Sequence, residues 1–137
     1  MVTLREFHDK LYMFTPTQLR DLFVKLITGA GFTEIETISI EDRTVYIHAV
    51  RGKDSKPMLC QLNYDDINTN DKLIELVSKI KEGEHGIIFT LGRFGNDVAD
   101  FAMDNGYADY IMPMDGGMFV EMLFKEGLLE WLCDQLF

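Results

Sequence analysis

The segment 57–64 combines an apolar run with side chains that could take part in metal chemistry. Gln61 and Asn63 stand two residues apart near its end, and Asp65 and Asp66 follow. The two carboxylates could bind a cation beside Gln61, whereas a neutral amide alone is a poor ligand for Mg²⁺. Asp65 and Asp66 also suit a solvated loop or a helix cap, and we favour that interpretation.

Two further charged residues stand in predicted turns. Asp42, between Glu41 and Arg43, could be a relocated metal ligand, but an aspartate in such a position more often forms a turn. Arg93 lies in a glycine-flanked loop, residues 92–96, that could present backbone N–H groups and a guanidinium to a phosphate or carboxylate. An ordinary strand-to-helix turn explains this loop equally well, because the full P-loop spacing and its lysine are missing. Arg93 is therefore the first residue to test for anion or partner contact.

The histidines and cysteines are scattered along the chain. His8, His48 and His85 show no metal-ligand spacing. Cys60 and His48 could form a nucleophilic pair on neighbouring strands, but Cys60 lies in an apolar run and free cysteine is among the most buried residue types. We therefore expect Cys60 to pack in the core. With Cys133 as the other cysteine, the pattern excludes a disulfide framework and favours a reduced, cytoplasmic protein.

Length and composition predict one domain over residues 1–137. Of the 137 residues 47% are hydrophobic, which is enough to bury a core without disulfides. The 13 basic and 23 acidic residues give a formal net charge of -10. This charge repels a phosphate backbone and favours a basic protein partner, although a local basic patch could still bind nucleic acid. No apolar run approaches the roughly 20 residues of a membrane span, so we expect no membrane association.

The hydrophobic pattern predicts a mixed sheet flanked by helices. Thr15 and Pro16 predict the cap and the first turn of the second helix. Helical spacing of apolar residues predicts helices over residues 3–14, 16–30, 73–80, 96–105, 117–125 and 128–136. Alternating, β-branched or continuous apolar runs predict strands over residues 33–40, 44–50, 58–62, 86–91 and 110–113. The first three strands should form an antiparallel meander, and the last strand-helix-strand unit a parallel crossover.

Four local patterns follow one another between residues 16 and 127. They are a helix ending in Gly31-Phe32, Gln61 after an apolar strand, Thr90-Leu91-Gly92-Arg93-Phe94 before Val98, Ala99 and Phe101, and Met114-Asp115-Gly116 before Phe119 and Leu123. Their order and spacing resemble the Mrr-type restriction endonuclease domain, with helices 3–14 and 128–136 as additions. The resemblance implies a restriction-endonuclease-like α/β fold, in which a mixed β-sheet of meander and parallel crossover strands is flanked by α-helices.

The resemblance also implies which residues would do the chemistry. In the family, carboxylates hold Mg²⁺ and a lysine supports the attacking water. Along the family pattern, this chain has Tyr46 at the metal-binding aspartate, Gln61 at the middle position and Asn63 in place of the lysine. The glutamate of the first helix falls at Arg20. Because an ordinary tyrosine has a pKa near ~10, it cannot replace the aspartate at neutral pH, so the resemblance implies a degenerate centre without a metal cofactor.

We therefore predict a protein-interaction or regulatory module whose acidic surface meets a basic partner. One version is an inhibitor or immunity-type protein of bacterial defence that occupies the basic cleft of a nucleic-acid enzyme. An alternative is a Mg²⁺-dependent DNA endonuclease with relocated residues, namely Asp42, Asp65 or Asp66 as ligands and Lys56 or Lys72 as the lysine. A DNA-binding remnant is the third interpretation.

The segment 128–137 is unusually apolar for the end of a chain. Trp131 and Phe137 could complete the core, or they could anchor a homodimer or another partner. The pattern favours neither outcome.

Overall fold

A five-stranded mixed sheet forms the centre of the fold. The computed structural model describes residues 4–128, apart from the side chains at positions 4, 7 and 8. The strands are β1 (Thr33–Glu41), β2 (Thr44–Arg51), β3 (Lys56–Asn63), β4 (His85–Thr90) and β5 (Ile111–Met114), and they lie in this order across the sheet. β1, β2 and β3 pair antiparallel, whereas β3 with β4 and β4 with β5 pair parallel. The predicted meander and the parallel strand-helix-strand unit are confirmed.

The helices flank this sheet on both sides. Within residues 4–128 they are α1 (Leu4–Tyr12), α2 (Pro16–Gly29), α3 (Asp71–Lys79), α4 (Asn96–Asp104) and α5 (Gly116–Lys125). α2 begins with a capping box, in which Thr15 Oγ1 accepts from Gln18 N and Gln18 Oε1 accepts from Thr15 N. None of these helices is long and apolar enough to cross a bilayer. The helix predicted for residues 128–136 lies outside the described residues, except for its first position.

The two faces of the sheet carry separate cores. On one face, which we call the α2 face, the central strands pack against α1, α2 and α5 through residues such as Ile47, Cys60 and Phe119. On the other, the α3 face, they pack against α3 and α4 through residues such as Leu59 and Leu76. Because side chains alternate along a strand, β2 and β3 send every second residue to each core. The polar residues of interest lie on the α3 face.

β1 forms one edge of the sheet, and β5 forms the other. The half-buried residues of β1 are Ile35, Thr37 and Ser39, as the alternation predicts, and the residues between them are exposed. Register shifts interrupt its pairing with β2. A tight turn then leads into β2, and Asp42 in this turn has a left-handed backbone with φ of 51°. Aspartate tolerates this conformation better than most residues, so the backbone supports a turn-forming role for Asp42.

Candidate functional site

Three of the four residues that the resemblance assigns to the family's catalytic positions meet on the α3 face. Tyr46 on β2 lies directly opposite Gln61 on β3, and Asn63 follows two residues later on the same face. The three residues are 1%, 0% and 5% exposed. The structure thus brings together the positions that the resemblance pairs, but it closes them off from solvent under α3.

These side chains belong to a closed chain of polar contacts that we call the polar ring. Its members are Thr44, Tyr46, Gln61, Asn63, Lys72 and Glu75. Lys72 Nζ donates to Thr44 Oγ1 at 2.9 Å, and Thr44 Oγ1 donates to Asn63 Oδ1 at 3.4 Å. Asn63 Nδ2 donates to Gln61 Oε1 at 2.9 Å. Each member so far donates to the next in the same direction around the ring.

The second half of the polar ring runs from β3 to α3. Gln61 Nε2 donates to the Tyr46 hydroxyl at 2.8 Å, and this hydroxyl donates to Glu75 Oε1 at 2.7 Å. Glu75 Oε2 lies 3.6 Å from Lys72 Nζ, which closes the ring on α3. The i, i+3 spacing of Lys72 and Glu75 puts both side chains on one face of the helix. α3 therefore contributes the positive ammonium of Lys72 and the negative carboxylate of Glu75, whereas the strand side chains of the polar ring are neutral.

The two amides have further partners outside the polar ring. Gln61 Nε2 also donates to the carbonyl of Lys72 at 2.9 Å, and Asn63 Nδ2 also donates to the carbonyl of Phe89 at 3.1 Å. Each amide nitrogen thus makes two hydrogen bonds, the full number its hydrogens allow. Removing either acceptor would leave a buried donor unsatisfied, at a cost of about 1–3 kcal/mol.

The electrostatics of the polar ring keep Tyr46 neutral. Burial raises the pKa of the Tyr46 phenol above its ordinary value, and the Glu75 carboxylate raises it further, whereas the bond from Gln61 acts in the opposite direction. The ammonium of Lys79 lies 5.0 Å from the centre of the Tyr46 ring. A neutral phenol and two amides that already hydrogen-bond to protein groups are poor ligands for Mg²⁺, which prefers carboxylate oxygens and bound water.

An open cleft of about 480 Å³ adjoins the Asn63 end of the polar ring. Its lining includes Asp42, Asp65, Asp66, Asn63 and Lys72. The residues proposed for a relocated centre therefore surround one space, with the ammonium of Lys72 at its edge. Nevertheless, among residues 4–128 no three or more histidine, cysteine, aspartate or glutamate side chains are grouped so that they could hold a metal ion.

Asp66 has a clear role in joining two loops. Its Oδ1 accepts a 2.8 Å hydrogen bond from Arg93 N. Nearby, Ile67 N donates to the carbonyl of Arg93 at 2.8 Å, and Gly95 N donates to the carbonyl of Ile67 at 2.9 Å. A Cβ at position 92 would lie 2.7 Å from Asp66 N, so only glycine fits this close approach. The carboxylate of Asp66 thus holds the β4–α4 loop against the loop after β3.

Three backbone N–H groups of the β4–α4 loop, those of Gly92, Arg93 and Gly95, already have hydrogen-bond partners. Gly92 N donates to Thr90 Oγ1 at 3.1 Å, and the N–H groups of Arg93 and Gly95 have the partners given above. These groups therefore do not form an anion cradle. The Arg93 side chain is exposed and lines a second cleft of about 560 Å³ together with Arg5, Asp66 and Asp115, so two carboxylates share this cleft with the two guanidinium groups.

Other candidate residues are kept apart from the polar ring. Arg20 lies on α2 and pairs with its neighbour Asp21 at 2.8 Å, so its described contact is local. Lys56 begins β3, at the opposite end of the strand from Asn63. Trp131 and Phe137 lie outside the described residues, and so does Cys133.

Cys60 and His48 cannot act as a nucleophilic pair. Cys60 lies opposite Ile47, and His48 lies opposite Leu59, so the two side chains point to different faces of the sheet. Burial raises the pKa of the Cys60 thiol to about 12. His48 Nε2 instead lies 3.3 Å from Glu84 Oε2. The predicted core role of Cys60 agrees with its complete burial.

Sequence reasoning missed Thr44 and Glu75. Glu75 is three residues after the candidate Lys72 and lies in a predicted helix, and this i, i+3 spacing is the signal that could have found it. Thr44 could be found only from the strand register, which puts it beside Asn63 across β2 and β3.

The mixed five-stranded sheet with its flanking helices has the restriction-endonuclease-like fold. The structure is similar to that of MspJI restriction endonuclease in complex with a 27-mer oligonucleotide, with a TM-score of 0.50 and 19% sequence identity. The match covers 88% of this chain and 29% of that chain, so this chain spans less than a third of that enzyme's length. No family model matches the sequence, and no curated protein matches it. This similarity establishes the fold and does not establish the function.

Proposed function

We propose that this chain is a catalytically inactive relative of the Mrr-type endonuclease domain and acts as a protein-interaction or regulatory module for a basic partner. The polar ring is the observation that carries this proposal. The resemblance assigns Tyr46, Gln61 and Asn63 to the positions of the family's chemistry, yet these side chains hydrogen-bond to one another beneath α3. The strands themselves offer no carboxylate at these positions.

The energetics of the polar ring support a permanently closed centre. A metal ion that reached Gln61 would have to displace the bond from Asn63 and compete with buried donors. Each buried group left unsatisfied costs about 1–3 kcal/mol. The half-buried Glu75 carboxylate already accepts the Tyr46 hydroxyl and faces Lys72. The ring therefore favours its own closure over metal binding.

The charge of the chain supports a basic partner. A net charge of -10 raises the rate at which a positively charged protein is captured and disfavours a phosphate backbone. An inhibitor or immunity-type protein of bacterial defence, seated in the basic cleft of a nucleic-acid enzyme, would use this charge directly. Recovery of no basic protein in a low-salt pull-down would count against this role, because electrostatic attraction is strongest there.

A relocated Mg²⁺-dependent endonuclease is the second candidate function. One observation favours it: Asp42, Asp65, Asp66 and Lys72 line a single cleft beside Asn63. In this version the carboxylates would bind the metal and Lys72 would stand in for the missing lysine. Asp66 would then have to give up its bond to Arg93 N.

A cleavage assay separates the two functions. The purified chain is incubated with Mg²⁺ or Mn²⁺ and with supercoiled, linear or single-stranded DNA, and we expect no products. Asp42→Ala and Lys72→Ala test the cleft, and Asp109→Ala serves as a control because Asp109 lies on the short helical turn 107–109. Cleavage that is lost in the two cleft variants but kept in Asp109→Ala would overturn the inactive-domain proposal.

A further inference from the structure

The two edges of the sheet are built differently. β5 is a short edge of four residues, Ile111–Met114, and it contains Pro113. A short edge strand and a proline both hinder pairing with another chain. β1 is an edge of nine residues, Thr33–Glu41, with no proline, lysine or arginine. Of the two edges, β1 is therefore the one that can accept a further strand.

The outer side of β1 carries backbone groups that the sheet does not use. Among the described residues, β2 is the only strand paired with β1. An antiparallel strand turns the N–H and C=O groups of every second residue to each side, so β1 presents a row of donors and acceptors on the side away from β2. Of the regular elements, only another extended strand can pair with such a row, because a helix uses its backbone groups internally.

Apolar side chains on β1 are also uncovered. Ile38 is 56% exposed and Ile40 is 42% exposed, although isoleucine favours half-buried positions in a sheet. By contrast, Val45 and Ile47 on the neighbouring strand β2 are completely buried. A strand laid beside β1 would bring its own side chains within reach of both isoleucines, since cross-strand neighbours lie about 4.5–5.5 Å apart. The edge thus offers apolar contact as well as backbone partners.

The charges on β1 select the occupant. Glu36 and Glu41 are exposed, and a register shift between them puts both on the α3 face. Residues 33–42 contain four carboxylates and no lysine, arginine or histidine. His48 on β2 lies opposite Glu36, but its Nε2 faces Glu84 Oε2 at 3.3 Å. A strand with lysines or arginines on the α3 face would therefore complement this edge, since opposite charges on paired strands attract.

The same charges disfavour a second copy of this chain as the occupant. Each copy would bring the four carboxylates of residues 33–42 and no cation to the joint. Register shifts between Thr33 and Glu36 and between Thr37 and Ser39 also break the regular pairing of β1 and increase its twist. Flat pairing of two such edges over their whole length is therefore disfavoured, whereas a short basic strand of about five residues can follow the twisted edge.

We propose that the outer edge of β1 is the docking site for the basic partner, and that it receives an extended segment of the partner as a sixth strand of the sheet. This inference rests on the proposed function. The N–H and C=O groups of the segment pair with those of β1. Its lysines or arginines face Glu36 and Glu41, and its apolar side chains contact Ile38 and Ile40. In this mode of recognition main-chain hydrogen bonds supply affinity, and side chains at alternate positions supply specificity.

Binding of a designed peptide tests the proposal. The probe is a labelled peptide of about ten residues in which lysine and valine alternate, measured by fluorescence anisotropy against the full chain at low salt. Two derivatives carry N-methyl groups either on all the valines or on all the lysines, so each loses the N–H donors of one edge and keeps its charge. One derivative should bind about tenfold more weakly, because it loses its bonds to β1, and the other should stay within about twofold of the parent peptide.

Amide hydrogen exchange locates the bound peptide on the chain. The peptide should slow exchange about tenfold at alternate amides of β1 and leave the amides of β5 unchanged. Glu36→Lys/Glu41→Lys should weaken binding about tenfold. Its matched control, Asp100→Lys/Asp104→Lys, changes the net charge equally at exposed positions of α4 and should change affinity by less than about twofold. Circular dichroism confirms that each variant folds, and the methylated peptides test the edge without any change to the chain.

The outcomes distinguish this inference from the proposed function. Absence of peptide binding, equal binding by the two methylated peptides, or equal losses in the two charge variants would each overturn the docking site. Dimerisation of the chain with slowed exchange at β1 in the absence of peptide would overturn the proposed occupant. Protection at β5 or at a helix instead of β1 would overturn the site but leave the role with a basic partner standing. Metal-dependent DNA cleavage by the unsubstituted chain would overturn the inactive-domain proposal, whatever the peptide does.

Discussion

The Tyr46 hydroxyl donates a 2.7 Å hydrogen bond to Glu75 Oε1 and so joins the centre of the sheet to α3. The resemblance assigns this strand position to a carboxylate that would hold a metal ion. Here a phenol faces a carboxylate instead. An aspartate at position 46 would stand against Glu75 and repel it, so the polar ring depends on a neutral group at this position.

Tyr46→Phe should lower the free energy of unfolding by about 1–3 kcal/mol, because Gln61 Nε2 loses an acceptor in a buried site. Urea unfolding followed by circular dichroism measures the change. Tyr110→Phe is the matched control, since Tyr110 is half-buried and lies outside the polar ring, and it should stay within about 0.5 kcal/mol of the unsubstituted protein. Equal losses in the two variants would contradict the importance of the ring.

Alkaline pH should weaken the protein through Tyr46. Burial, reinforced by Glu75, raises the pKa of this phenol above its ordinary value near 10.0, so the folded state keeps the proton to higher pH than the unfolded chain does. The stability that this group contributes is complete below about pH 10 and is lost as the pH rises further. The stability advantage over Tyr46→Phe should therefore be constant up to that pH and shrink above it. An advantage that stays constant at higher pH would contradict the raised pKa.

The sequence predicted the sheet because each strand carries its own signal. β-branched runs marked β1 and β2, continuous apolar runs marked β3 and β4, and Thr15-Pro16 marked the start of α2. These signals are local, so periodicity and capping rules find them. Gln61, Tyr46 and Asn63 were grouped only because the chain resembles a known pattern.

The closure of the site could not be predicted in the same way. The bonds from Tyr46 to Glu75 and from Lys72 to Thr44 depend on how α3 is laid across β2 and β3. Helical periodicity tells which face of α3 is buried, but it does not tell which strand residue that face meets. The same limit applies to Asp66, whose partner Arg93 lies in a distant loop. A carboxylate in a loop looks the same in sequence whether it binds a cation or a backbone N–H.

Restoring the family's residue types should create a metal response. Tyr46→Asp with Asn63→Lys places a carboxylate and an ammonium around Gln61. Without metal, this double variant should lose about 3–5 kcal/mol of stability, because the new carboxylate is buried beside Glu75. Mg²⁺ or Mn²⁺ should then raise its melting temperature and leave the unsubstituted protein unchanged.

Thermal unfolding with and without each metal measures this response. Tyr46→Asn with Asn63→Lys is the control that lacks the new carboxylate, and it should not respond to metal. A metal-dependent rise in the melting temperature of the unsubstituted protein would show instead that its own carboxylates already bind the ion.

Gly92→Ala should loosen the contact between the two loops that flank the cleft. The added Cβ would lie 2.7 Å from Asp66 N, so the backbone must shift, at a cost of about 1–3 kcal/mol. Gly117→Ala is the control, because its Cβ would meet Asp115 Oδ1 at 3.4 Å, near ordinary contact distance, within α5. It should be neutral or stabilising by up to about 1 kcal/mol. Urea unfolding compares the two, and hydrogen exchange at Arg93 N should speed up only in Gly92→Ala.

Cys60 should be chemically silent in the folded protein. Its thiol is fully buried on the α2 face, and burial raises its pKa to about 12, so neither the thiolate nor a path for a reagent exists at neutral pH. In a Cys133→Ser variant, labelling by a thiol reagent should therefore follow unfolding and become rapid only in denaturant. The converse variant, Cys60→Ser, reports the background from Cys133. Rapid labelling of Cys60 in the native state would make it a candidate nucleophile again. A thiol that reacts without unfolding must be accessible to the reagent, and its pKa must be lower than the value that complete burial gives Cys60.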